Sequence, residues 1–134
     1  MSKKQIDFLV IVGILIAAAG ASLLFHLKPL TGSFFYLVLP SIYLMLRKRK
    51  NYRKIFWSVI ILGLILGFTF DFLAEFNGAW RVTSLVIPYK VFGVEPVDNV
   101  LGYVIMVLFM VTFYEHFIDD ERYRRISKRP PGYF

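Results

Sequence analysis

Four apolar runs, separated by charged or turn-forming segments, constrain this chain more than any other feature. The first, Ile6 to Phe25, has Asp7 at its start and Ser22 as its only other polar side chain. Twenty residues rise about 30 Å as a helix, the thickness of a bilayer's hydrocarbon. His26, Lys28 and Pro29 end it. Its small residues Gly13, Ala17, Ala18, Gly20 and Ala21 would let a neighbouring helix approach closely. The second run is short and contains Pro40, where a kink is expected. The third opens with Ile55, Phe56 and Trp57, a sequence suited to an interfacial anchor.

The expected fold is an all-α integral membrane protein with four transmembrane helices, at about 6–26, 31–47, 55–76 and 99–118. Composition agrees: 57% of residues are hydrophobic, against about 45–50% in soluble domains. All of 1–134 reads as one membrane domain, with a long capping loop over 77–97 and a basic tail over 119–134. Lys3 and Lys4 before an apolar run resemble a signal peptide, but the run reaches Phe25 and no convincing small-x-small cleavage site precedes a soluble domain, so it reads as a retained span. The connection 77–97 is long for a structureless loop, and its middle, Leu85 to Tyr89, is apolar. It is expected to fold back over the bundle end and line a cavity.

Charge sets the expected orientation. Of the 16 basic residues, all but Lys28, Arg81 and Lys90 fall on one side of a four-span arrangement. The positive-inside rule then places both the N-terminus and the C-terminus in the cytoplasm, with the protein in a prokaryotic cytoplasmic membrane. The net charge of +7 is explained by topology, so no nucleic-acid partner is implied. The cluster Arg47 to Lys50 is explained the same way. There is no cysteine, which removes thiolate ligands and a Cys nucleophile. His26 and His116 are the only histidines and belong at opposite faces, where they cannot share one ion. No dinucleotide fingerprint is present, and no cofactor is expected.

The candidate chemistry lies between Phe70 and Asn99, which holds four of the nine acidic residues. Asp71 and Glu75 are spaced i, i+4, on one face of the third helix, with Cβ atoms about 5–6 Å apart. Asp71 lies on the order of 24 Å along its span, inside the hydrocarbon boundary. Two carboxyls this close in an apolar setting do not easily both carry charge, and a neutral carboxylic acid is a proton donor. The plainer alternative pairs Asp71 with Arg81 or with backbone groups near the helix end. Asp98, after Pro96, stands where an N-cap for the fourth helix belongs. Glu95 faces the same region. Trp80 is either an interfacial anchor or a ring over which a cation is held.

Asp71-x-x-Ala74-x-x-x-Gly78-x-Trp80, followed by Pro96-Val97-Asp98-Asn99 opening a hydrophobic helix, resembles the membrane-integral lycopene cyclases of carotenoid synthesis. In that family one helix ends in Phe-Asp-x-x-Ala-x-x-x-Gly-x-Trp and the next begins at Pro-x-Glu-Glu. The resemblance covers 70–114, and Asp98 and Asn99 stand where the family has two glutamates. It implies acid-catalysed ring closure at a polyene end, without net redox change. An acid protonates a terminal double bond, the cation closes to a ring, and a base removes a proton. Asp71, Glu75, Asp98 and Glu95 are the catalytic candidates it points to, with Trp80, Gly78 and Asn99 as the substrate-binding ones. The implied partners are a hydrophobic carotenoid, the lipid bilayer, and a second cyclase-like subunit or another copy of this chain. The alternatives are a non-catalytic membrane subunit or scaffold, and a small proton-coupled transporter, which carries an essential carboxylate near mid-membrane.

Overall fold

The computed structural model describes residues 1–47, 52–81 and 84–118. Most of the basic cluster after Arg47 and the whole basic tail lie outside these residues.

Four helices are long and apolar enough to cross a membrane: α1 (Lys3–Phe25), α2 (Pro29–Arg47), α3 (Tyr52–Phe76) and α4 (Val97–Phe117). Ser2 starts α1 through a capping box, its hydroxyl accepting from the Gln5 amide while the Gln5 side chain accepts from the Ser2 amide. His26 ends it in the left-handed region at φ 49°. Pro29 then occupies the first turn of α2, where its missing N–H costs nothing. The expected irregularity in α2 is a π-type turn over Phe34–Val38, immediately before Pro40. The Leu39 N–H reaches back five residues to the Phe34 carbonyl.

The bundle is inside out relative to a soluble protein. Ile16, Leu23, Phe25 and Leu66 are all more than half exposed, whereas Asp7, Asp71, Glu75, Glu95, Asp98 and His116 are buried. Lipid is as apolar as leucine, so large side chains lose nothing by facing it, and polar groups must find one another inside.

The tightest helix pair is α3 with α4. A Cβ placed on Gly63 would lie 3.1 Å from Val104 Cα, and one on Gly67 would lie 3.0 Å from Tyr103 Cγ. These two glycines, four apart, occupy the π-type stretch Val59–Gly67 of α3 and seat Tyr103 one turn below Asp71. Of the small residues of α1, Ala18 is buried, but the two glycines do not play this part. Nothing lies within 4 Å of a Cβ added at Gly13 or Gly20, and close approach is a property of α3, where glycine is flanked by aliphatic bulk.

The 77–97 connection folds back over one end of the bundle. Helix α3 stops in a Schellman arrangement: Gly78 at φ 71° turns the chain, its N–H bonding the Glu75 carbonyl while the Ala79 N–H bonds the Ala74 carbonyl. A short hairpin follows, β1 (Lys90–Val91) antiparallel to β2 (Glu95–Pro96). Its turn puts Phe92 and Gly93 at positive φ, 52° and 71°. The sequence lacks the alternation and the Asn-Gly or Asp-Gly pair that would announce a hairpin. The loop is tied down by Lys28, whose ammonium donates to the Leu85 carbonyl at 2.8 Å.

Candidate functional site

Asp71 lies on the last turns of α3 and is almost completely buried, at 1% exposure. Its carboxyl accepts from the Trp80 indole N–H at 2.8 Å and from the Asn99 amide at 2.8 Å. A third, longer bond comes from the Tyr103 hydroxyl at 3.3 Å. The donors belong to two elements: Trp80 just past the Gly78 turn, and Asn99 and Tyr103 one turn apart on α4. Asp71 forms no ion pair with Arg81 among the described residues, and it does not bond the helix end.

A cavity of about 450 Å³ opens beside this carboxyl. Helix α2 contributes Pro29, Leu30 and Ser33 to its wall, α4 contributes Asp98, Asn99, Gly102, Tyr103 and Met106, and Asp71, Trp80 and Arg81 close the third side. Most of that lining is apolar or aromatic, with Asp71 and Asp98 as its acids and Arg81 as its base. Such a chamber suits a small or slender hydrophobic ligand held against a few polar groups.

The seven residues singled out from sequence distribute unevenly. Asp71, Trp80, Asp98 and Asn99 meet in the cavity wall. Glu75 and Glu95 are buried beside Asp71 without being part of that wall. Gly78 serves the backbone turn described above and does not line the cavity. Tyr103 and Arg81 were not singled out as site residues. The signal for Tyr103 was its i+4 spacing from Asn99, which puts both on the α4 face that meets Asp71.

Asp98 is not an N-cap. The N-cap position of α4 is Pro96, which has no side chain to cap with, and Asp98 lies inside the first turn. Its two oxygens accept the Val86 and Ile87 amides at 2.6 and 2.9 Å. The carboxylate thus satisfies loop amides that fold onto it, at a helix end whose dipole favours negative charge. Sequence spacing could not reveal this because the donors lie 11 and 12 residues upstream.

Glu95 is the anomaly of the site. It is fully buried, at 0% exposure, and neither carboxyl oxygen has a hydrogen-bond donor among the described residues. Burial, Asp71 at hydrogen-bonding reach, and the charges of Asp71 and Glu75 push its pKa up to about 8. It therefore carries a proton at neutral pH.

The other end of the bundle holds a second buried carboxyl, Asp7. It accepts from Tyr43 at 2.9 Å and Arg47 at 2.6 Å, both on α2, and it pairs with His116 Nε2 of α4 at 2.9 Å. His26 stands at the opposite end of α1, as the topology required. No group of three or more metal-ligating side chains is present among the described residues.

The fold and the site together define a membrane-spanning helical bundle with an open cavity that carries Asp71 and Asp98 in its wall. Comparison of the chain with protein-family models, curated proteins and solved structures gave no match.

Proposed function

We propose that this chain is a lycopene-cyclase-like protein that closes a ring at the end of a polyene by acid catalysis, in the cavity beside Asp71. The observation that carries the reading is a buried carboxyl, held by three donors, in the wall of a mostly apolar and aromatic cavity of a membrane bundle. A carotenoid end is apolar, slender and delivered from lipid, and it fits such a chamber by shape and polarity. The likeness of 70–114 to the cyclase motifs supports the same conclusion.

In this reaction a proton adds to the terminal double bond, and the carbocation is attacked by a second double bond to close the ring. A proton then leaves the ring cation to a base, so the product has the formula of the substrate. Asp71 is the group that faces the cation. As an acceptor of three hydrogen bonds it is preorganised to stand against positive charge without rearranging. Trp80, with its N–H turned to Asp71 and its ring half-exposed, supplies an aromatic wall. Asn99 and Tyr103 position Asp71. Both termini lie in the cytoplasm in this reading, in a prokaryotic cell membrane, and a second cyclase-like subunit or another copy of the chain completes the enzyme.

Pigment analysis of lycopene-producing cells tests it. The chain is expressed alone and with neighbouring genes of its genome, and Asp71→Asn is the comparison. Cyclised carotenoid that disappears in Asp71→Asn is expected. Unchanged lycopene in every combination, with the protein demonstrably in the membrane, would sink the cyclase reading.

A further inference from the structure

The carboxyl cluster beside the cavity contains Asp71, Glu75 and Glu95, and these three are not equivalent. Asp71 spends its oxygens on Trp80, Asn99 and Tyr103. Glu95 has no donor at either oxygen among the described residues, although it is fully buried. A buried carboxylate without a donor is strongly disfavoured, whereas a buried carboxylic acid is not. The groups acting on Glu95 are Asp71 and Glu75 of α3, both acidic, and the phenol Tyr103 of α4 stands in the same cluster. No cation among them favours its charged form. Two bare carboxylates at hydrogen-bonding reach repel, and one proton between them converts the repulsion into a hydrogen bond. The backbone holds this arrangement: β2 pairs with β1, and the Val97 N–H bonds the Tyr89 carbonyl at 3.1 Å, directly after Pro96.

We propose that Glu95 holds the exchangeable proton of this cluster and passes it to Asp71, so that the acid of this chain lies before Pro96 and not on the helical turn after it. Asp98 is not among the groups acting on Glu95, and its oxygens hold the Val86 and Ile87 amides instead. Asn99 has no acidic proton.

The transfer balances. Glu95 gives its proton to the Asp71 carboxylate, and Asp71, now protonated at the cavity wall, delivers it to the substrate carbon. The proton lost from the ring cation returns to Asp71 and then to Glu95. The catalytic meaning of this relay rests on the cyclase reading. The location of the proton does not.

Infrared spectroscopy of the purified protein in detergent tests the location directly, through the C=O stretch of a protonated carboxyl. The wild type is expected to show that band at neutral pH and to lose it in mildly alkaline buffer. Glu95→Gln is expected to lack it throughout. Asp98→Asn is expected to keep it. Glu95→Asp, which restores a shorter acid, is expected to recover a shifted band. A band that survives in Glu95→Gln, or a wild type with no such band at neutral pH, overturns the proposal. Lycopene-producing cells give the separate arm: cyclised product that falls at least tenfold in Glu95→Gln and recovers in part in Glu95→Asp supports the relay. Full cyclisation by Glu95→Gln overturns it. If wild-type cells make no ring at all, the cyclase reading fails, and the infrared result still decides where the proton is.

Discussion

The two ends of the bundle each bury a carboxyl, and they solve the problem in opposite ways. At one end Asp7 collects Tyr43, Arg47 and His116 from two other helices, and both of its oxygens have partners. At the other end Asp71 is well provided with donors, but Glu95 next to it has none among the described residues, and a cavity opens alongside. The first arrangement is a clasp: it joins α1 to α2 and α4 at a place where apolar contact provides no drive, since lipid competes equally for apolar surface. The second arrangement holds acidic groups in an environment that raises their energy, which a protein maintains only where surrounding structure compensates for it. Glu95, buried with no donor among the described residues, is what sets this end apart from the Asp7 clasp.

The sharpest way to break this comparison is at Asp7. Asp7→Ala leaves Tyr43, Arg47 and His116 without the carboxyl that joins them and is expected to cost about 3 kcal/mol. Thermal unfolding in detergent measures it. A loss below about 1 kcal/mol would make the clasp ornamental. Gly67→Ala comes next. Its methyl group would press on Tyr103, with about 1–3 kcal/mol of overpacking expected. It also shifts the phenol that reaches Asp71, so under the proposed cyclase reaction ring formation should fall by more than stability alone explains. An unchanged melting temperature would show that Tyr103 can move aside.

Smaller still is Trp80→Phe, which keeps a ring but removes the N–H donated to Asp71. A cost of about 1 kcal/mol is expected, together with slower pigment conversion. Equal conversion at equal protein level would assign Trp80 to anchoring alone. The mildest change at neutral pH is Glu95→Gln, an isosteric stand-in for the protonated acid. Its signature lies in pH dependence. A carboxyl whose native pKa is raised to about 8 binds more protons folded than unfolded. Its contribution is therefore fully present below the ordinary carboxylate range and is lost as pH rises toward 8. The limiting slope is about 1.4 kcal/mol per pH unit. The wild type should lose stability relative to Glu95→Gln across that window, as urea or thermal titrations in detergent would detect. Parallel stability curves for the two proteins would mean that Glu95 is charged when folded.

The four helices were legible because apolar length is a one-dimensional property. Runs of about 20 residues leave few alternatives, and Pro29, Gly78 and Pro96 punctuate them. Asp71 was legible for a related reason: a carboxyl deep in an apolar run needs a partner or a task wherever it ends up. Glu95 and Asp98 were harder, because the same few residues read equally well as a capped helix start. The hairpin that buries Glu95 turns at Phe92 and Gly93, and neither strand carries an alternating pattern. Asp7 was the least legible of all. Near a helix start it looks like a residue at the membrane surface, and its partners lie 36, 40 and 109 positions away.

The chain by itself determined that it would form four helices long and apolar enough to cross a membrane, about where each would stop, and that Asp71 would lie in the last turns of the third. These follow from local quantities: hydropathy, length and the backbone restrictions of proline and glycine. Only the tertiary structure decided which carboxyls would be satisfied. Hydrogen-bond donors come from side chains and loop amides that sequence separation does not rank. The backbone turn at Gly78 brings Trp80 back to Asp71, the Gly63–Gly67 seam brings Tyr103 against it, and the hairpin leaves Glu95 beside both with no donor of its own.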